Sequence, residues 1–105
     1  MNPLAQLRKG TTALAVLAAL ERGPIYGYGL RREVYAKTKG VFDFNEGALY
    51  PVLHSLTRRR LIHCTPQQVG GRCRKYYELT PQGRRLLAAC RAEWDALLKA
   101  LDAIL

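Results

Sequence analysis

Between Pro51 and Tyr77 the chain carries Arg58, Arg59, Arg60, Arg72, Arg74 and Lys75, and no acidic residue. A run of fixed positive charge without internal counter-charge suits one kind of chemistry, the neutralisation of phosphates on a polyanion. The whole chain shares the bias, with 17 Lys and Arg against 8 Asp and Glu in 105 residues, a net charge of +9. The excess is unevenly placed. Residues 1–79 hold thirteen basic and five acidic side chains, a balance of +8, while residues 80–105 hold four and three, a balance of +1. Nucleic acid is the expected partner, and a basic surface that serves only solubility is the alternative. A membrane surface fits poorly, because the amphipathic last segment has a mixed polar face and carries only that +1.

Other chemistry finds little to work with. There is no Ser/His/Asp set, no Gly-rich phosphate loop ahead of a helix and no carboxylate pair in a cleft, so no catalytic residue is expected. Cys64, Cys73 and Cys90 are an odd number without close paired spacing, which fits a reducing cytosol better than a disulfide framework. His54 and His63 share no useful spacing with them, so neither a metal nor any other cofactor is expected. A two-residue hairpin turn at Gly70-Gly71 would set Cys73 opposite Gln68 and Cys64 opposite Tyr77, not opposite each other. A redox role for any of the three stays open as a minor alternative. The longest apolar run, Ala13 to Leu20, is too short to span a bilayer, and no secretory signal pattern is present. A cytoplasmic protein is expected.

The elements that must position the basic residues follow from periodicity and end signals. A first helix is expected from Pro3 to Arg22, apolar on nearly every side and stopped by Gly23-Pro24. A second should cover Tyr26 to Lys39 and end at Gly40. The alternation in Val41–Phe44 suggests a very short strand. The third helix has Asn45 as N-cap and Glu46 in its first turn, and buries Leu49, Val52, Leu53 and Leu56. Its opposite face holds Gly47, Pro51, His54 and Arg58, with Tyr50 and Ser55 on the flanks. Pro51 should delay the start of regular helix. Leu61–Val69 and Arg74–Leu79 read as a hairpin, with Pro66 marking an edge strand or a bulge. Thr80 as N-cap and Pro81 at the first helical position then open a helix that runs to the C-terminus. Along it Leu87, Cys90, Trp94, Leu97, Leu101 and Ile104 recur at spacings of three and four, a seam for a second copy, for the first helix, or for both.

Helix, helix, short strand, helix, hairpin, helix is the order of a winged helix-turn-helix: a mainly α fold with a small β-hairpin wing and a C-terminal dimerisation helix. Residues 1–79 would form the DNA-binding domain and residues 80–105 the dimerisation helix. The third helix would enter the major groove of double-stranded DNA, and the wing would reach neighbouring phosphates or the minor groove. Asn45, Gly47, Tyr50, Pro51, His54 and Arg58 are the candidates on the recognition helix, with Arg58 favoured for phosphate. Arg72, Arg74 and Lys75 are the candidates on the wing, and Lys9 on the first helix. Tyr26 and Tyr28 could set hydroxyls on phosphates or pack in the core; of the two, Tyr28 is retained as a candidate.

The segments "LRKGTTALAVLAAL", "GPIYGYGL", "NEGALYPVLHSLTRRRLI" and "GGRCRKYYELTPQG", followed by "EWDALLKAL", also resemble the PadR-like transcriptional regulators over nearly the whole chain. The short length resembles the subgroup with a single C-terminal helix. Ala48 stands where the family usually has Thr, "TRRR" at Thr57–Arg60 replaces a stretch that is often acidic and ends in Gly, and Cys73 interrupts the basic wing. The resemblance implies a cytoplasmic regulator of transcription, most often a repressor, acting as a homodimer on a pseudo-palindromic operator. Leu14, Leu17, Leu87, Trp94, Leu97, Leu101 and Ile104 are the expected interface. It further implies that Trp94, with Leu97 and Cys90, could stack on a planar aromatic or cationic effector between subunits; a plain packing tryptophan is the alternative. The competing function is an effector-independent DNA-binding protein gated by a protein partner or by thiol redox state.

Overall fold

A computed structural model describes residues 11–105. The expected start of the first helix at Pro3 lies outside the described residues. Within them α1 spans Thr12–Ala19. Its hydrogen-bonded end turns over Leu20 to Arg22 and breaks at Gly23, whose φ of +151° suits glycine, ahead of Pro24. The all-round apolar sequence is explained by burial: Val16, Leu17 and Leu20 are in the core, and Leu14 with the flanking alanines packs against it.

The chain next forms a two-residue strand, β1 (Ile25–Tyr26), which pairs antiparallel with Tyr77 and Tyr76. This is the short strand of the fold, and it is not at Val41–Phe44. That later stretch is irregular, with the Phe42 amide donating to Thr38 Oγ1 at 3.1 Å and the Phe42 and Phe44 rings packed edge to face. The edge of β3 that β2 leaves free is taken by β1 instead.

Helix α2 runs Gly27–Lys37 and α3 runs Glu46–Arg58. Asn45 Oδ1 accepts from the Ala48 amide at 2.9 Å, the expected N-cap. Leu49, Leu53 and Leu56 are buried and Val52 is half-buried, as the stripe requires. Contrary to expectation, α3 is continuous through Pro51. The missing N–H orphans the Gly47 carbonyl one turn earlier, and both residues are exposed, so water can satisfy it. Both helices end the same way. Lys39 and Arg60 take left-handed φ values of 52° and 61°, and the following amides reach back to Tyr35 and Leu56.

Strands β2 (Ile62–Val69) and β3 (Arg72–Leu79) form the wing in unbroken register from Ile62↔Leu79 to Val69↔Arg72. Gly70 and Gly71, both at positive φ, make the two-residue turn, and Pro66 sits on the edge strand without a bulge. Strand β3 begins at Arg72, two residues before the expected start. The register does set Cys64 against Tyr77 and Cys73 against Gln68. All three cysteines are free.

Thr80 caps α4 (Pro81–Ile104) by accepting from the Gly83 amide, and its hydroxyl also donates to the Arg60 carbonyl at 2.8 Å. Glu21 at the end of α1 accepts two hydrogen bonds from the Arg91 guanidinium at 2.9 and 3.2 Å, while Arg84 donates to the Glu21 carbonyl. Those contacts fasten the first half of α4 to the body of the fold. From Arg91 onward every residue of the helix is exposed. Leu17 and Leu87, expected at a dimer seam, are each 2% exposed and belong to the chain's own core. The 3-4 spacing could not separate a residue that packs on α1 of its own chain from one offered to a second copy.

Candidate nucleic-acid interface

The recognition helix and the wing meet in a groove of about 660 Å³ that brings Tyr50, Pro51, His54 and Arg58 of α3 to Cys64, Lys75 and Tyr77 of the wing. Residues that lie more than twenty positions apart in sequence thus share one basic surface. A second groove of about 650 Å³ continues it past Tyr50 to Tyr26, Tyr28, Arg72 and Arg74. The charges are available. Among the described residues, ion pairs join Arg31 to Asp43, Lys37 to Glu33 and Arg91 to Glu21, and neither Arg58, Arg72 nor Lys75 is in any of them.

Tyr50 packs over the start of α2. Gly27, buried at the start of α2, lies against the phenol: a Cβ there would stand 3.5 Å from the Tyr50 hydroxyl, an ordinary contact distance. His54 and Arg58 follow one and two turns later on the same exposed side. Asn45 spends its side-chain oxygen on the cap, which leaves its amide NH2 as the group free to meet a partner. Gly47 is exposed beside it.

Tyr28 is 58% exposed, which removes core packing as its role, and the Arg32 guanidinium lies 5.7 Å from its ring centre. Tyr26 is half-buried and carries the Arg74 guanidinium 4.7 Å over its ring. Sequence reasoning does not select Tyr26. The signal is the alternation of tyrosine and glycine in residues 26–29, but its use depends on β1, which periodicity does not reveal. Nor does sequence reasoning place Cys64 and Tyr77 in the groove. Burial, then the neighbouring Cys64, pushes the Tyr77 phenol up to about 12. Lys9 lies outside the described residues.

A separate pocket of about 520 Å³ opens between α1 and α4 on another side of the fold. It brings together Trp94, Leu97 and Cys90 with Leu14 of α1, and Arg59 and Glu93 are its charged lining residues. Trp94 is 38% exposed, and Leu97, Leu98, Leu101 and Ile104 continue an uncovered apolar face down α4. Among the described residues no cluster of His, Cys, Asp and Glu could hold a metal ion, and no helix is long and apolar enough to cross a membrane.

Residues 16–89 match the model of the transcriptional regulator PadR-like family. A transcriptional regulator from Mycobacterium tuberculosis is 27% identical over 94 residues, covering 90% of this chain and 85% of its own. Among solved structures, a PadR family transcriptional regulator from Eggerthella lenta superposes with a TM-score of 0.83 at 31% identity, covering 95% of this chain and 86% of the other. A PadR-like transcriptional regulator from Bacillus cereus gives a TM-score of 0.83 at 27% identity, covering 94% and 95%.

Proposed function

This chain belongs to the PadR-like family of transcriptional regulators, and from that premise we propose that it is a homodimeric, cytoplasmic repressor that leaves its operator when a small planar molecule binds beside Trp94. Residues 1–79 bind DNA and residues 80–105 join the subunits. In this reading α3 enters the major groove, with Tyr50 and His54 facing base edges and Arg58 on phosphate. Asn45, Gly47 and Pro51 line the approach at the helix start, and Tyr28 sets its hydroxyl on phosphate. Arg72, Arg74 and Lys75 hold the flanking backbone, and Lys9 adds a further backbone contact. The observation that carries the reading is the shared groove: the exposed face of α3 and the basic wing converge on one surface whose cations Arg58 and Lys75 have no acidic partner there.

The second copy covers the apolar face of α4. Leu97, Leu101 and Ile104, 49%, 41% and 80% exposed in the single chain, are the surface a partner would remove from water. Leu14 contributes at the rim. The effector reading rests on the pocket that joins Trp94, Leu97 and Cys90, since a flat ring can stack on the indole there. Effector binding would shift the dimer and change the separation of the two recognition helices.

Selection of bound sequences from a randomised DNA duplex pool tests the DNA reading. Enrichment of an inverted repeat with half-sites about one helical turn, roughly 10 base pairs, apart is expected. Enrichment of a lone half-site would remove the dimer from the reading, and no enrichment would remove operator recognition.

A further inference from the structure

Alternation along β3 divides the wing's basic residues between two faces. Lys75, Tyr77 and Leu79 share the side turned toward α3, while Arg72, Arg74 and Tyr76 share the other. Left to the pleat alone, Arg74 would point away from the recognition helix. It nevertheless lines the same groove as Tyr50 and Lys75, as Arg72 of the same face does, but it is half-buried where Arg72 and Lys75 are exposed.

What sets Arg74 apart from Arg72 is a ring on the neighbouring strand. Tyr26 is paired with Tyr76 across β1 and β3, which makes Arg74 its diagonal neighbour on the same face. The Tyr26 ring packs 5.8 Å from the Tyr76 ring and takes the Arg74 guanidinium 4.7 Å over its own centre. Gly29 makes room for that ring, because a Cβ there would lie 2.8 Å from Tyr26 Cε1. A planar guanidinium stacks on an aromatic face in a way an ammonium does not, and it keeps its outward N–H donors while stacked.

We propose that Tyr26 is a positioning residue for DNA binding, whose ring holds Arg74 at the edge of the sheet so that an arginine from the far face of the wing meets a phosphate beside the recognition helix. The proposal rests on the reading of this face as the DNA-binding surface. The ring acts here, and the phenol hydroxyl does not. Gly29, three residues on, seats the Tyr26 ring, so the start of α2 helps to set the wing.

The test is fluorescence anisotropy of a labelled mixed-sequence DNA duplex, titrated at several salt concentrations with the full-length protein. R74A and the control R72A should each flatten the slope of log K against log salt by about 0.9 for every phosphate that is no longer neutralised. Y26L should weaken binding about two- to fivefold, the factor that matches an exposed cation–π interaction, and should weaken it no further in an R74A background. Y26F should bind like the wild type. R74K keeps the charge and loses the stack, so it should weaken binding with the slope retained; that variant also carries the test should Y26L fail to fold. Equal losses in Y26F and Y26L would make the hydroxyl the contacting group and overturn the proposal, as would a Y26L loss that persists undiminished in R74A. A flat response to R74A with R72A still active would overturn the proposal alone. Flat responses to both would overturn the reading of the wing itself.

Discussion

Gly83, in the first turn of α4, lies so close to the backbone of Leu61 that a Cβ there would overlap the Leu61 carbonyl oxygen. That same carbonyl accepts from the Thr80 amide at 3.1 Å and from the Thr80 hydroxyl. The start of the long helix is therefore docked on the end of the recognition helix by backbone contact, with a glycine as the only residue that fits.

Gly83→Ala should accordingly destabilise the protein although it improves helix propensity. Alanine gains about 1 kcal/mol in a helix over glycine, but overpacking against backbone costs about 1–3 kcal/mol or more. Because the clash is with backbone, the upper end of that cost applies, and a net loss of about 2 kcal/mol is expected, read as a lower urea midpoint at unchanged slope. An unchanged or raised midpoint would show that the helix shifts away from Leu61 without cost.

Arg60 should respond in the opposite direction. Its φ of 61° places a side chain in the left-handed region at the end of α3, and the Leu61 amide reaches back to the Leu56 carbonyl at 3.0 Å around it. The conformation costs a non-glycine residue about 1–2 kcal/mol, and glycine returns about 0.5–1 kcal/mol of that as extra freedom in the unfolded chain. Arg60→Gly is expected to raise stability by about 0.5–1 kcal/mol in urea unfolding. A loss of stability would mean that the arginine side chain makes a compensating interaction.

The Glu21–Arg91 pair gives the fold a pH signature. Its hydrogen bonds with Arg91, reinforced by the charges of Arg91, Arg84 and Arg22, hold the Glu21 carboxyl below its ordinary value of 4.5. A depressed folded value means stabilisation that is complete above the unfolded value and is lost as pH falls through the folded one. The stability difference between wild type and Glu21→Gln should thus be constant above about pH 4.5 and shrink below it. The effect is small, because both side chains are half exposed to solvent. A difference that does not change with pH would show that the pair contributes through hydrogen-bond geometry alone.

Trp94 is the single tryptophan of the chain, so its fluorescence reports one site. Saturable quenching by members of a panel of planar aromatic and cationic compounds is expected, together with loss of calorimetric binding in Trp94→Ala. The bound compound should also release DNA. The absence of quenching by the whole panel would make Trp94 a packing residue of the dimer seam and turn the search for a signal to Cys64 or to a partner protein.

Much of this fold is written in short-range sequence. Asn45 and Thr80 cap their helices because each side-chain oxygen needs only an amide three residues on. Gly70-Gly71 fixes the wing register because both residues must take positive φ in a two-residue turn. The apolar stripe of α3 follows from helical spacing, and its basic opposite face from the same count. The family motifs add the order of the elements. Long-range partners decided the rest. Tyrosine and glycine at 26–29 carry no mark of which β-strand edge they will meet, so local alternation points to Val41–Phe44 as the short strand and passes over β1. Leu87 and Leu101 occupy equivalent positions in one repeat, yet the first is buried against its own chain and the second faces water, because α4 outruns the body that covers its first turns. Proximity in sequence groups Arg74 with Lys75, although the pleat puts them on opposite faces of their strand. Both line one groove, and there Arg74 stacks on an aromatic ring from a third strand, a contact across nearly fifty residues that no local spacing encodes.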